Sequence, residues 1–173
     1  MTTARSSIGC ATLDRGVANR FIRGGFASQP GYGTYLFRFD DPDLERYGAL
    51  SPAQKNDMLL AHAICKTNRS NTITLVKDLM VIGNGVGQKA RNECCRIAIA
   101  EATGAGHQTA GAIAASDAFF PFPDGAETLG RAGVAAVLTL KGSRNDEAVC
   151  RAFAEHGVTL YWLPVEKGRI FLH

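Results

Sequence analysis

Short apolar runs alternate with helical patterns in the last third of the chain. We predict strands at 112–115, 134–139 and 158–162, with helices between them at about 124–132 and 145–155. A strand–helix–strand–helix–strand order is typical of parallel strands joined by right-handed crossovers. The pattern therefore predicts an α/β fold whose last three strands lie parallel in one sheet.

The middle of the chain predicts a capped helix followed by a β-hairpin. The helix should begin at Ser51 and end near Ile64, because Ser51 and Gln54 can form a capping box and a proline occupies the first helical position. Two apolar stretches, 71–77 and 79–82, flank a tight turn and predict the hairpin.

A glycine-rich stretch, 83–87, separates that hairpin from a helix predicted at about 88–102. A turn between a strand and a helix can hold an anion on backbone N–H groups, and the alternative is a tight turn that needs positive φ. No Gly-Lys-Ser/Thr follows, so the turn is not a P-loop. Arg91 in the first helical turn favours binding, because a guanidinium pairs with carboxylate or phosphate.

The first part of the chain has little periodicity. Residues 1–33 are rich in glycine, serine and arginine, and we expect either an extended arm packed on a partner subunit or a loosely ordered tail. Residues 34–39 alternate well enough for a short strand. We therefore divide the chain into an arm with a first strand at 1–49 and one globular domain at 50–173.

The composition of the chain argues against several classes of protein. A chain of 173 residues with 46% hydrophobic and 20% charged residues is typical of one soluble domain. The net charge of +3 is too small to indicate nucleic acid or a membrane surface. Five cysteines without a CxxC pattern indicate reduced thiols. The N-terminus lacks the apolar core of a signal peptide and no apolar run is long enough to span a bilayer, so we expect a cytoplasmic protein.

The stretch 116–124 is the most unusual of the chain. It contains three phenylalanines and two prolines directly after a predicted parallel strand, at the end where open α/β sheets bind ligands. A Phe-walled slot suits a flat heteroaromatic ring, and Asp124 at its far edge suits ring amino groups. The alternative is an ordinary strand-to-helix turn capped by Asp124.

Three further features bear on the site. The polar run 66–71 and the stretch 141–143 each have a plain alternative, a solvated loop and a helix lead-in. The tail 168–173 could dock as a strand or line a site. No His-x-Glu or Pro-Cys-x-x-Cys pattern occurs and the histidines are scattered, so we expect no metal.

Several of these stretches together resemble the C-terminal part of the AICAR transformylase domain, which belongs to a bifunctional purine-biosynthesis enzyme. They occur in the same order as in that family, at 66–71, 82–91, 116–124, 142–143 and 169–173. The string Ser-Asp-Ala-Phe-Phe-Pro-Phe is the most specific of them. The resemblance covers roughly residues 50–173.

The resemblance implies a three-layer α/β/α sandwich, cytidine-deaminase-like and without zinc. It implies a formyltransferase that moves a one-carbon unit from 10-formyltetrahydrofolate to an amine of an aminoimidazole-carboxamide-like or specialised-pathway substrate. We expect a small-molecule substrate and a folate as ligands and a homodimer with the site near its interface, with no metal, nucleic acid or membrane among the partners.

The resemblance also assigns roles to individual side chains. The substrate-binding group is Asn71, Phe119, Arg169 and Phe171. The folate-binding group is Arg91, Phe122, Asp124 and Ser143. The candidates for catalysis are His173, Lys66 and Asn71.

The chain departs from the family in ways that leave the reaction open. It has no Lys-His dipeptide, although the family draws its proton shuttle from such a pair, and Pro123 stands where the family usually has arginine. His173 could act as base, with Lys66, Lys141 or Arg91 near the oxyanion, or a second copy could complete the site in a homodimer. Otherwise the chain performs a cyclisation or dehydration without folate, or is a non-catalytic subunit of a split transformylase.

Overall fold

The computed structural model describes residues 17–30 and 37–167. The chain divides into two compact units, one that contains residues 17–30 and one that begins at Phe37. The predicted tail 168–173 lies outside the described residues, and so does the first half of the strand predicted at 34–39. Three candidate site residues, Arg169, Phe171 and His173, therefore have no described position.

A β-hairpin forms in a region where the sequence indicated only an arm or a loosely ordered tail. Strands β1 (Val17–Ile22) and β2 (Gly25–Pro30) pair antiparallel, and Gly24 in the turn has a φ of 89°. Phe21 and Phe26 face each other across the strands with ring centroids 5.5 Å apart. One aromatic pair per hairpin is too short a pattern for periodicity to detect, so the sequence did not predict the hairpin.

The second unit is built around a six-stranded sheet with the order β3-β8-β7-β6-β4-β5. Its strands are β3 (Glu45–Tyr47), β4 (Thr72–Lys77), β5 (Met80–Val86), β6 (Ile113–Ser116), β7 (Ala136–Lys141) and β8 (Thr159–Pro164). Strands β6, β7 and β8 run parallel, as predicted. The antiparallel pairs are β3 with β8, β4 with β5 and β4 with β6. Strand β3 was not predicted from the sequence.

Helices cover both faces of this sheet. They are α1 (Pro52–Cys65), α2 (Arg91–Gly104), α3 (Asp124–Arg131) and α4 (Asp146–Glu155), and a short 3-10 helix follows at Val165–Lys167. Helix α1 packs with Val76 and Ala115 on one face. On the other face, α2, α3 and α4 pack over inward-facing residues of β4, β6, β7 and β8, such as Leu75 and Val137. The α/β fold and its three layers are therefore confirmed.

Helix α1 begins as the sequence predicts. The side chain of Ser51 accepts a hydrogen bond from the N–H of Gln54 at 3.2 Å, and the Gln54 amide oxygen accepts from the N–H of Ser51 at 2.9 Å. The buried face is narrow, because Leu59 and Ala63 are exposed. Its buried members are Asp57, Met58, Ala61 and Cys65.

Most of the glycine-rich stretch is strand, rather than the anion-binding turn or the tight turn that the sequence left open. Residues 83–86 continue strand β5, and only Gly87, with a φ of 73°, turns the chain. A Cβ on Gly83 would lie 1.9 Å from the carbonyl oxygen of Ala98, and one on Gly85 would lie 2.0 Å from that of Cys94. These two glycines let α2 lie directly against β5, so they serve packing. Helix α2 begins at Arg91, later than predicted.

Residues 37–39 do not form the predicted strand. A turn follows instead, in which the N–H of Asp41 donates to the carbonyl of Arg38. Phe37 packs 5.6 Å from the His62 ring and Phe39 packs 5.8 Å from the Tyr161 ring. Both aromatic side chains are held by tertiary contacts, and sequence alternation cannot separate this arrangement from a strand.

Candidate active site at the carboxyl edge of the parallel strands

A buried ion pair joins the start of α2 to the end of β6. The Nη1 of Arg91 lies 2.5 Å from Oδ1 of Asp117 and donates to the Oγ of Ser116 at 2.7 Å. The two charged side chains are only 5% and 0% exposed. Removing one partner of such a pair leaves an uncompensated charge in the interior, which makes this pair a strong constraint on the local structure.

Asn71 extends the pair into a cluster. The Nη2 of Arg91 donates to Oδ1 of Asn71 at 2.6 Å. The Nδ2 of Asn71 donates to the carbonyls of Gln88 at 2.9 Å and of Lys89 at 3.1 Å. Both amide hydrogens of Asn71 are thus used inside the protein. We call Asn71, Arg91 and Asp117 the buried cluster.

Asp117 was not among the candidates from the sequence, although it directly follows a predicted strand. Its Oδ1 also accepts a hydrogen bond from the N–H of Thr72 at 2.9 Å, which ties β6 to β4. Within the described ranges, Nε of Arg91 and Oδ2 of Asp117 are buried and have no hydrogen-bond partner. The position of an acidic residue directly after a fully buried strand could have identified Asp117 as a candidate. The sequence could not show that Arg91 is its partner.

The three phenylalanines after β6 occupy different environments. Phe120 is buried, with its ring 5.5 Å from that of Phe153 and 6.0 Å from the guanidinium carbon of Arg91. Phe119 is half-buried. Phe122 is 60% exposed. The expected slot therefore does not have three equivalent aromatic walls: Phe120 supports the buried cluster, and Phe122 offers a ring face to solvent.

Side chains from β7 and the start of α4 hold this loop in place. The Thr139 hydroxyl donates to the carbonyl of Ala118 at 3.0 Å, and Nδ2 of Asn145 donates to the carbonyl of Pro121 at 2.6 Å. The backbone N–H of Asn145 donates to Oγ of Ser143 at 3.1 Å. Ser143 is thereby linked to the loop through Asn145, a residue that the sequence reading did not single out.

Asp124 begins α3 and is exposed. Pro123 occupies the N-cap position, so Asp124 is not the cap that the plain reading suggested. Its Oδ1 accepts from the N–H of Gly125 at 2.9 Å, in the first turn, where the helix dipole favours a negative charge. We call Phe122, Asp124 and Ser143 the rim.

Lys66 lies on the opposite side of the sheet from α2, beside a small cavity of about 20 Å³. The cavity is lined by His62, Cys65, Lys66, Ser116, Asp117, Leu138, Thr139, Leu140 and Leu163. Its volume is about that of one water molecule. Burial lowers the pKa of Lys66, and burial together with the Lys66 charge lowers the pKa of His62 to about 4.

Lys141, the other lysine considered for an oxyanion, is engaged at the surface. Its Nζ lies 2.6 Å from the carboxylate of Glu45 and 5.6 Å from the centre of the Trp162 ring. The hydrogen bond to Glu45 raises the pKa of Lys141. Lys141 thus pairs with Glu45 at the surface, whereas Lys66 lines the same cavity as Asp117.

The thiols near the site are structural. Sγ of Cys94 lies 3.1 Å from the carbonyl oxygen of Asn71, and burial raises the pKa of both Cys94 and Cys95. Cys94 and Cys95 are free thiols, and in the described ranges no three His, Cys, Asp or Glu side chains lie close enough together to hold a metal ion. No helix in those ranges is long and apolar enough to cross a membrane.

Comparison with known proteins gives relatives that are much longer than this chain. Residues 37–101 match the family described as the AICARFT/IMPCHase bienzyme. The chain is 44% identical over 122 residues to the bifunctional purine biosynthesis protein PurH of Mycobacterium ulcerans (strain Agy99), a match that covers 70% of this chain and 22% of the relative. For PurH of Mycobacterium marinum (strain ATCC BAA-535 / M), the identity is 46% over 110 residues, with coverage of 64% and 20%. The chain thus spans about a fifth of the length of these relatives.

Solved structures with a similar layout are more distant. A dCMP deaminase from the cyanophage S-TIM5, in complex with dCMP and dUMP, is 14% identical with a TM-score of 0.49, covering 66% of this chain and 100% of that one. A diaminohydroxyphosphoribosylaminopyrimidine deaminase/5-amino-6-(5-phosphoribosylamino)uracil reductase from Thermotoga maritima is 17% identical with a TM-score of 0.45, covering 63% and 36%.

Proposed function

We propose, from the premise that this chain contains an AICAR transformylase-like domain, that it transfers a formyl group from a reduced folate to an amine. The donor would be 10-formyltetrahydrofolate, and the acceptor an aminoimidazole-carboxamide-like or specialised-pathway amine. The observation that carries the proposal is the buried cluster beside the Phe-Pro loop, at the carboxyl edge where open α/β sheets bind ligands.

The reaction sets requirements for the site. The acceptor nitrogen attacks the formyl carbon, a tetrahedral oxyanion forms, and the bond from carbon to N10 of the folate breaks. The attacking nitrogen loses a proton and N10 gains one. A site must therefore position the amine, supply a base and stabilise the oxyanion.

The rim suits the folate. Phe122 exposes a ring face on which a flat heteroaromatic ring can stack, and the exposed carboxylate of Asp124 can accept hydrogen bonds from ring amino groups. Ser143 adds a hydroxyl next to the anchored loop. Side chains that are exposed and lie on one edge can reach a ligand without rearrangement of the interior.

The buried cluster suits the acceptor side through positioning. Arg91 has its two terminal nitrogens engaged by Asn71, Ser116 and Asp117, so it acts as a fixed positive charge that orients Asn71. The remaining acceptor-side residues in this proposal are Phe119, Arg169 and Phe171. For catalysis we propose His173 as base, with Lys66 stabilising the oxyanion in preference to Lys141, because Lys66 and Asp117 line one cavity.

The alternative function is that of a subunit that binds ligands but lacks the transfer chemistry, or one that performs another reaction without folate. The described sequence has no Lys-His dipeptide, which favours this alternative. A homodimer that places two such edges together would restore a larger site. We propose that the transferase is such a homodimer and that it acts in the cytoplasm.

A transfer assay distinguishes the two functions. The purified full chain is incubated with 10-formyltetrahydrofolate and AICAR, and tetrahydrofolate and formylated amine are measured together. Equal amounts of both products support the transferase. Tetrahydrofolate release without formylated amine contradicts it. Binding of both ligands without any product favours the partner subunit.

A further inference from the structure

Asp117 connects the two sides of the sheet at this edge. On the α2 side its Oδ1 accepts from Arg91 at 2.5 Å and from the N–H of Thr72 at 2.9 Å. On the α1 side the residue lines the small cavity together with Lys66. No other carboxylate contacts Arg91 among the described ion pairs.

Three acceptors fix the orientation of the Arg91 guanidinium. Ser116 and Asp117 accept from Nη1, and Asn71 accepts from Nη2. Only Asp117 carries a charge, and hydrogen bonds between charged partners are roughly twice as strong as neutral ones. A planar guanidinium that is held on Nη1 presents Nη2 in one direction only. Asp117 is therefore the strongest of the contacts that set where Nη2 meets the amide of Asn71.

We propose that Asp117 is a positioning residue of the site, which acts on the acceptor through Arg91 and Asn71. This inference rests on the proposed function, because Asn71 is its contact to the acceptor. Loss of the Asp117 charge leaves the buried guanidinium without a counter-charge, so Arg91 turns toward other acceptors. The carbonyl of the Asn71 amide then loses its fixed donor, and the amide no longer has one orientation.

A purely structural role for Asp117 needs a matched control, and Asp57 provides one. Both residues are 6% exposed, and both accept backbone hydrogen bonds. The carboxylate of Asp57 accepts from the N–H groups of Asp78 at 3.1 Å and Leu79 at 2.7 Å, in the turn between β4 and β5. Asp57→Asn is thus a comparable substitution of a buried carboxylate at a position that does not contact the buried cluster.

The binding test compares the Asp117→Asn and Asp57→Asn variants of the full chain by calorimetric titration with AICAR. We expect Asp117→Asn to weaken AICAR at least tenfold and Asp57→Asn to change it less than twofold, although both lower Tm. In an Arg91→Met background, Asp117→Asn should add less than twofold. Equal weakening by the two Asp→Asn variants, or an additive loss in the Arg91→Met background, would overturn the inference.

A readout without ligand separates this inference from the proposed function. The side-chain NH₂ signals of Asn71 and the Nε–H signal of Arg91 are recorded by ¹⁵N NMR in the ligand-free protein. We expect both to shift in Asp117→Asn and to stay in place in Asp57→Asn. Unshifted signals in Asp117→Asn overturn the positioning role even if AICAR binds the wild type. Shifted signals in a protein that binds neither AICAR nor folate support the network and reject the proposed function.

Discussion

The buried cluster and the rim lie along the same edge of the sheet, but the protein holds them in opposite ways. Arg91, Asn71 and Asp117 bond to one another and to the backbones of neighbouring elements. Phe122 and Asp124 are exposed, and the only hydrogen bond described for the Asp124 carboxylate is from the adjacent Gly125 N–H. The candidates therefore include two kinds of residue, those that shape the site and those that can reach a ligand directly.

This difference determines what a substitution measures. A change in the buried cluster alters stability and affinity together, because the same hydrogen bonds join α2, β4 and β6. A change at the exposed rim residues Phe122 or Asp124 should alter affinity much more than stability.

Asp117→Ala should produce the largest loss of stability. It leaves the buried Arg91 charge unpaired, which typically costs about 3–5 kcal/mol. The free energy of unfolding in urea measures it. Glu45→Ala is the control, since it removes the exposed pair with Lys141 and should cost about 0.5 kcal/mol. Similar losses in the two variants would mean that the buried pair does not anchor this edge.

Gly85→Ala tests the packing that brings Arg91 to the cluster. Its Cβ would lie 2.0 Å from the carbonyl oxygen of Cys94, so α2 must move away from β5, at a cost of about 3 kcal/mol. Gly104→Ala at the end of α2 has open space and should be neutral or slightly stabilising. Thermal unfolding of both variants measures the difference. An unchanged Tm in Gly85→Ala would contradict the close contact.

His62, which lines the cavity beside Asp117, should make the stability of the protein depend on pH. The pKa of His62 is about 4 in the folded protein, below its usual value of 6.5, so the unfolded chain binds the proton first as pH falls. This stability is present above pH 6.5 and is lost as pH falls toward 4, about 2 kcal/mol between pH 7 and pH 4.5. Urea unfolding at several pH values should show the slope in wild type and a flatter one in His62→Gln. An identical slope in both proteins would assign the pH dependence to other groups.

Asp124→Asn should give the smallest change in stability and a clear change in affinity. It removes one exposed charge from the first turn of α3, which affects unfolding by about 0.5 kcal/mol. The loss of a charged acceptor for ring amino groups should weaken a reduced folate about tenfold. Glu127→Gln, which lies in the same helix and pairs with Arg131, is the control and should leave folate affinity unchanged. Equal affinities in the two variants would remove Asp124 from the rim.

Much of the fold could be predicted because single elements carry their own signals. The apolar runs of β6, β7 and β8 are buried on both faces, and the capping box of α1 is local. The glycines of β5 led to the prediction of a turn, because the close approach of α2 that requires them is a contact with a separate element. The hairpin at 17–30 and the short β3 lack enough periodic residues to be detected.

The site could be located from the sequence but not assembled. The stretches that hold Asn71, Arg91 and the Phe-Pro loop were identified, yet their mutual contacts are tertiary. Asp117 joins Arg91 across 26 positions, and Asn145 reaches Pro121 across 24. Partners at such separations follow from sheet order and helix placement, which no local pattern contains.

Calorimetric titration of the full chain with a reduced folate is the most direct test that this edge holds a one-carbon donor. We expect saturable heat for one folate per chain, weakened about tenfold in Asp124→Asn while the free energy of unfolding stays nearly unchanged. Absence of heat with the folate in wild-type protein that unfolds cooperatively would contradict a folate-dependent function for this domain.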